Sequence, residues 1–238
     1  MGASTFRFQQ FRIEQDQCAM KVSTDGILLG AWAPPIDGGR VLDIGTGTGL
    51  LALMYAQRNA HVEIDAIEID PAAAEQAKAN FEASRFAERL SLYPQALQDF
   101  HPSNSYDLFL CNPPYFAAGI TPPENARAQA RHVQRLDFKD LIEHCGRLGS
   151  EKARLAVIIP MDREKDLIDQ LSRSHLSLHQ RLLINPSPQK AAHRVLILAG
   201  RIPQQLREGS LTIYDEQNRY TSAYQTLTKA YYLPFAFE

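Results

Sequence analysis

The stretch that most limits how this chain can fold is Val41-Leu42-Asp43-Ile44 followed by Gly45-Thr46-Gly47-Thr48-Gly49 and then Leu50-Leu51-Ala52-Leu53-Met54. A short apolar run reads as a buried strand, and the longer apolar run after the glycines as a helix. Glycines accept positive φ and let a backbone approach a ligand closely. The N-terminus of the helix, with its partial positive charge, faces the same place. A strand, a glycine loop and a helix in that order belong to an α/β domain. Further strands are expected at 62–68, 90–93, 106–111, 153–159, 178–184 and 194–199, with a short one at 211–214. Helices are expected at 72–83, 137–148, 162–172 and 223–233. The join between 184 and 194 is too short for a helical crossover, so those two strands should pair antiparallel. The expected fold is a single Rossmann-like domain over 1–238. Its sheet is seven-stranded and mostly parallel, with one antiparallel strand. Ligands in such sheets bind outside the carboxyl ends of the strands.

The glycines run G-x-G-x-G. A dinucleotide fingerprint would need its third glycine at position 50, where this chain has Leu50. Asp43 lies two residues before the loop. A carboxylate there repels a pyrophosphate but can accept from a cationic amino acid moiety, directly or through water. S-adenosylmethionine carries an ammonium and a sulfonium and no phosphate, so the acid favours it over NAD. Glu68 stands at the end of the second expected strand, 19 residues after Gly49. A carboxylate placed there takes both hydroxyls of a ribose. The other role open to it, a charge at the start of the next helix, is already filled by Asp70-Pro71.

Asn112-Pro113-Pro114-Tyr115 follows the apolar run Leu108-Phe109-Leu110-Cys111. Proline lacks an N–H and fixes φ, and it pushes the residue before it out of the helical region. The resulting stiff turn can hold the Asn112 side-chain oxygen and the Asn112 and Pro113 carbonyls outward as acceptors. Tyr115 adds a flat ring. Acceptors beside a stacking face suit a planar molecule with an amino group. Asn-Pro-Pro is equally a good loop sequence, and it gains meaning only from a cofactor site at the same rim.

The chain has 238 residues, 45% hydrophobic and 22% charged, which is the composition of an ordinary globular protein. Cys18, Cys111 and Cys145 have no C-x-x-C spacing, so neither a disulfide frame nor a zinc site is expected. No apolar run approaches the ~18 residues of a membrane span, and a signal pattern is lacking. A cytoplasmic protein with no membrane contact is expected. The net charge is only −2, yet no Asp or Glu occurs between Gln170 and Arg207. That stretch holds Lys190 and Arg194 among other cations, and the long connection at 116–135 holds Arg127 and Arg131. Either these cations form an anion-facing surface, or other segments supply their counter-charges.

With these residues in view, the chain resembles a known family. Asp43-x-Gly45-x-Gly47-x-Gly49 with Asn112-Pro113-Pro114-Tyr115 resembles class I S-adenosylmethionine-dependent methyltransferases that act on exocyclic or amide nitrogen. The run from Cys18-Ala19-Met20-Lys21-Val22-Ser23-Thr24-Asp25-Gly26 to Trp32 narrows this, as do His193-Arg194-Val195-Leu196 and Tyr220-Thr221-Ser222-Ala223-Tyr224. They are similar to the bacterial tRNA adenine-N6 methyltransferases that modify the adenosine 3′ of the anticodon in a valine tRNA.

The resemblance implies S-adenosylmethionine held by Lys21, Thr24, Asp25, Asp43, Gly45, Gly47, Gly49 and Glu68. It implies an N-terminal extension, residues 1–35, packing over that site. Catalysis would rest on Asn112, Pro113 and Tyr115, and tRNA contact on Arg127, Arg131, Lys190 and Arg194, in a monomer without an obligate protein partner. The family usually places an acid after the third strand to accept from the cofactor adenine. This chain has Leu97 there, so a backbone carbonyl or Asp99 would substitute. A protein glutamine methyltransferase fits the same acceptors, and an NAD-dependent oxidoreductase is the rival from another class.

Overall fold

The computed structural model describes residues 4–18, 20–113 and 136–237. An N-terminal hairpin pairs β1 (Thr5–Arg7) with β2 (Arg12–Glu14) antiparallel, through Phe6 and Ile13. Helix α1 (Thr24–Trp32) follows, capped by Ser23, whose hydroxyl accepts the Gly26 amide at 3.2 Å. Then strands and helices alternate: β3 (Arg40–Ile44), α2 (Leu50–Arg58), β4 (Glu63–Ile67), α3 (Pro71–Glu82), β5 (Leu90–Tyr93) and β6 (Tyr106–Cys111). Beyond residue 135 come α4 (Phe138–Leu148), β7 (Gly149–Pro160), α5 (Glu164–Leu171), β8 (Ser177–Asn185), β9 (Arg194–Gly200), β10 (Arg207–Thr212) and α6 (Ser222–Thr228).

The main sheet runs β10-β8-β9-β7-β6-β3-β4-β5. Its neighbours pair parallel except at β7–β9 and β8–β9, so β9 alone runs against the others. That is the expected mostly parallel sheet with one reversed strand. The short strand expected near 211 starts earlier, at Arg207, and adds an eighth strand at the edge. Its first four residues are exposed, so they carry no apolar signal. The last helix ends at Thr228, short of the expected 233.

Alternate residues of the central strands enter two separate cores. Val41, Leu108, Leu110, Ala156 and Ile158 join α1 and α2 on one face. Leu42, Ile44, Phe109, Leu155 and Val157 join α4 and α5 on the other. Strands covered on both faces need near-continuous apolar sequence, and these have it. Within β3 an acid interrupts the run, Asp43.

Candidate active site

Ile44 of β3 stands opposite Cys111 of β6 in a parallel pair. The glycine loop after Ile44 and Asn112 after Cys111 therefore leave adjacent strands at one rim. Glu68 leaves β4, the neighbour of β3 on its other side, at the same rim.

Glu68 ties the loop together. One carboxylate oxygen accepts the Gly47 amide at 2.8 Å and the other accepts the Asp70 amide at 2.9 Å. The Gly45 and Thr46 amides donate to the Ile67 carbonyl, each at 3.0 Å. Gly45, Gly47 and Gly49 have φ of 68°, 58° and 85°. Two of these glycines do different work. A Cβ at Gly45 would meet nothing within 4 Å, so open space lies above it. A Cβ at Gly49 would press on the Phe81 ring at 2.5 Å, so that glycine lets α3 close against the loop.

Asp43 is fully buried. Gly49 has no side chain to cap α2, and Asp43 does that from the strand: it accepts the Ala52 amide at 3.1 Å and the Thr46 hydroxyl at 2.5 Å through one oxygen. Its other oxygen has no hydrogen-bond partner among the described residues. Burial pushes the Asp43 carboxyl up to about 7, and the nearby Glu68 charge adds to the shift. A buried carboxylate short of a partner, beside an open glycine cradle and a second carboxylate, suits a cationic ligand and opposes a phosphate. These residues fit S-adenosylmethionine.

The N-terminal segment lies against this loop. Cys18 Sγ is 3.7 Å from where a Cβ on Gly47 would be. The glycines at 26 and 30 let α1 sit directly on α2, because a Cβ on either would meet Leu50 or Met54 at 2.8 or 2.7 Å. Sequence reasoning missed Asn80 of α3. It is buried, donates to the Thr48 and Glu14 carbonyls at 2.9 Å each, and accepts the Glu14 amide at 2.9 Å. Its neighbour Gln76 accepts the Gln17 amide at 2.7 Å. The available signal was two amides on the helix face that also carries Ala73, Ala77 and Phe81.

Asn112 is half-buried and Pro113 buried at the end of β6. Tyr115, Arg127 and Arg131 lie outside the described residues, as does the rest of the connection at 116–135. Lys21 and Thr24 are exposed. Lys190 is exposed in the turn between β8 and β9, which opens at the same rim. Arg194 is half-buried, and its Nε donates to Asp25 at 2.8 Å. Arg181 is paired with Glu164, at 2.5 Å, and with Glu208, at 3.3 Å. Other segments thus supply counter-charges to Arg181 and Arg194 in the acid-free stretch. Leu97 is buried in the α4–α5 core, and Asp99 is exposed at the end of the same turn.

The sheet order and the loops at its rim define a class I S-adenosylmethionine-dependent methyltransferase. The methyltransferase small domain family model matches residues 24–130. A predicted O-methyltransferase from Agrobacterium tumefaciens shares the fold, with a TM-score of 0.69 at 18% identity over 87% of this chain and 96% of that one. The ribosomal protein L11 methylase of Lactobacillus delbrueckii subsp. bulgaricus has a TM-score of 0.56 at 16% identity, covering 80% and 84%. Two relatives are much nearer in sequence, and both are named tRNA1(Val) (adenine(37)-N6)-methyltransferase. That of Pectobacterium carotovorum is 43% identical over 96% of this chain and 93% of its own length. That of Trichodesmium erythraeum is 39% identical over 99% and 100%. The chain belongs to the tRNA1(Val) (adenine(37)-N6)-methyltransferase family.

Proposed function

We propose that this protein methylates N6 of adenine 37 in tRNA1(Val), using S-adenosylmethionine, with Asn112 and Pro113 as the acceptors for the reacting amine. The pairing of Ile44 with Cys111 supports the reading, because the glycine loop and Asn112 follow these two residues on adjacent strands. When bound, the cofactor supplies an electrophilic methyl group. Adenine N6 is a weak nucleophile, since its lone pair is delocalised into the ring. As it attacks it becomes positively charged, so the chain must aim acceptors at it rather than remove a proton first. The Asn112 side-chain oxygen and the Pro113 carbonyl do this, each contributing about 1.5–3 kcal/mol to the charged state. Tyr115 stacks the target base, worth ~1–3 kcal/mol. A loop base is cheaper to unstack than a base in a duplex.

Asp43, Glu68 and the glycine loop hold the cofactor. Residues 1–35 form an extension over its site within one domain, and Lys21 and Thr24 belong to that cover. Lys190, Arg127 and Arg131 hold tRNA phosphates. No helix among the described residues is long and apolar enough to cross a membrane. We place the enzyme in the cytoplasm, as a monomer.

The test is incubation of the protein with valine tRNA and isotopically labelled S-adenosylmethionine, followed by mass spectrometry of the nucleosides. Labelled N6-methyladenosine from position 37 is the expected product. Label in a protein glutamine, or none in RNA, overturns the assignment.

A further inference from the structure

Asp25 and Arg194 are 169 residues apart in sequence, yet Arg194 Nε and an Asp25 oxygen are 2.8 Å apart. The pair spans the rim. Asp25 lies at the start of α1, one residue before Gly26 packs on Leu50 at the head of α2. Arg194 opens β9 and stands opposite Pro160, at the end of β7. The start of the arginine's strand is itself held, because the Met161 amide donates to the His193 carbonyl at 3.2 Å and the His193 amide to that of Ile184 at 3.1 Å. The Arg194 guanidinium also donates to the His193 carbonyl at 3.1 Å, which orients it.

The segment leading into α1 lies against the glycine loop. Upstream it is held by Gln15, which accepts the Val22 amide at 2.8 Å, and by Gln76, which accepts that of Gln17. At its downstream end the charged anchor is Asp25, and Arg194 holds it to the substrate side of the sheet. We infer that Arg194 is a positioning residue: acting through Asp25, it fixes the segment that covers the cofactor loop, and it is not a phosphate ligand. The inference rests on the cofactor reading above and deepens it. It also reassigns Asp25 from cofactor ligand to anchor. A guanidinium already engaged by a carboxylate and a carbonyl is poorly placed to neutralise a phosphate as well.

The test is a double-mutant cycle on the full chain, read by the affinity for S-adenosylhomocysteine and by the salt dependence of tRNA binding. D25A and R194A should each weaken S-adenosylhomocysteine binding about fivefold, the modest effect of a partly buried ion pair at the surface. The double variant should be no worse than either single one. The exchanged pair, D25R with R194D, should recover most of the loss, and R194K only part of it, since lysine cannot offer the same fork. The slope of log affinity for tRNA against log salt should stay unchanged in R194A. A slope smaller by about one, with cofactor binding intact, overturns the inference and makes Arg194 a phosphate contact. Additive losses in the double variant also overturn it. The cofactor cycle reads the same whether or not tRNA is methylated, so failure of the tRNA assignment and failure of the positioning role of Arg194 are separate results. If R194A fails to fold, R194K and D25N carry the cycle.

Discussion

The carboxylate of Glu68 accepts the backbone amide of Gly47, so the end of β4 holds the loop that follows β3. The same side chain accepts the Asp70 amide and so sets the start of α3. A carboxylate has about four lone-pair sites, which leaves capacity for ribose hydroxyls. Glu68→Ala should weaken S-adenosylhomocysteine binding by roughly 10- to 100-fold, the scale of a lost hydrogen bond to a charged group. Glu68→Gln, which keeps one acceptor, should fall between. Calorimetric titration checks this; equal affinities in all three proteins would remove Glu68 from the site.

Asn112→Ala should lower kcat by ~10² while the Kd for tRNA stays close to that of the parent, because the acceptor matters most when the amine is charged. Single-turnover kinetics with pre-bound tRNA separates the two quantities. A variant that loses tRNA affinity at unchanged kcat would show Asn112 to be a binding group only.

Asp43 predicts a pH effect. Its carboxyl lies at about 7 in the folded protein against 3.8 for the ordinary group, with burial as the main cause. The folded state therefore binds this proton more tightly than the unfolded state. The stabilisation from this group is complete below about pH 4 and is lost as pH rises through about 7. A cationic cofactor reverses the preference and favours the carboxylate. S-adenosylhomocysteine, which retains the ammonium, should bind with release of a proton between about pH 4 and 7, and more tightly as pH rises through that window. Titration at pH 6 in buffers of different ionisation enthalpy measures the proton. Asp43→Asn should abolish the release.

Asn80→Ala removes two donors and an acceptor from a buried junction. The partners left behind should cost about 3 kcal/mol, or a fall of roughly 6–12 °C in Tm for a chain of this size. Asn80→Asp should be no better, because it loses both donors and buries a charge. Thermal melts of the two variants check this, and an aspartate variant as stable as the parent would rule out the donor role.

The central architecture was readable in the residues. The run Val41–Ile44 is apolar with one acid, and the glycines, Glu68 and Asn112 each follow a strand whose apolar pattern is plain. The reversed β9 followed from the short join after Ile184. What stayed hidden depended on distant partners. Arg194 reads as a free cation in an acid-free stretch until the fold brings Asp25 to it. Asn80 reads as one polar residue of an Ala- and Glu-rich helix until the hairpin and the loop close over it. Asp43 reads as a ligand, and its service as the cap of α2 is visible only because Gly49 cannot provide one. The exposed start of β10 has no apolar alternation to announce it.

The reversal of β9 has an evolutionary corollary. Because that strand enters the sheet backwards, the bend at 186–193 opens at the same rim without belonging to any crossover that builds the donor half. Its exposed tip around Lys190 can change in charge while His193, tied to Met161 and Ile184, and the glycine loop, several strands away, stay as they are. If Lys190 contacts tRNA as proposed, descendants of such a scaffold could acquire new nucleic acid preferences by rewriting one hairpin tip.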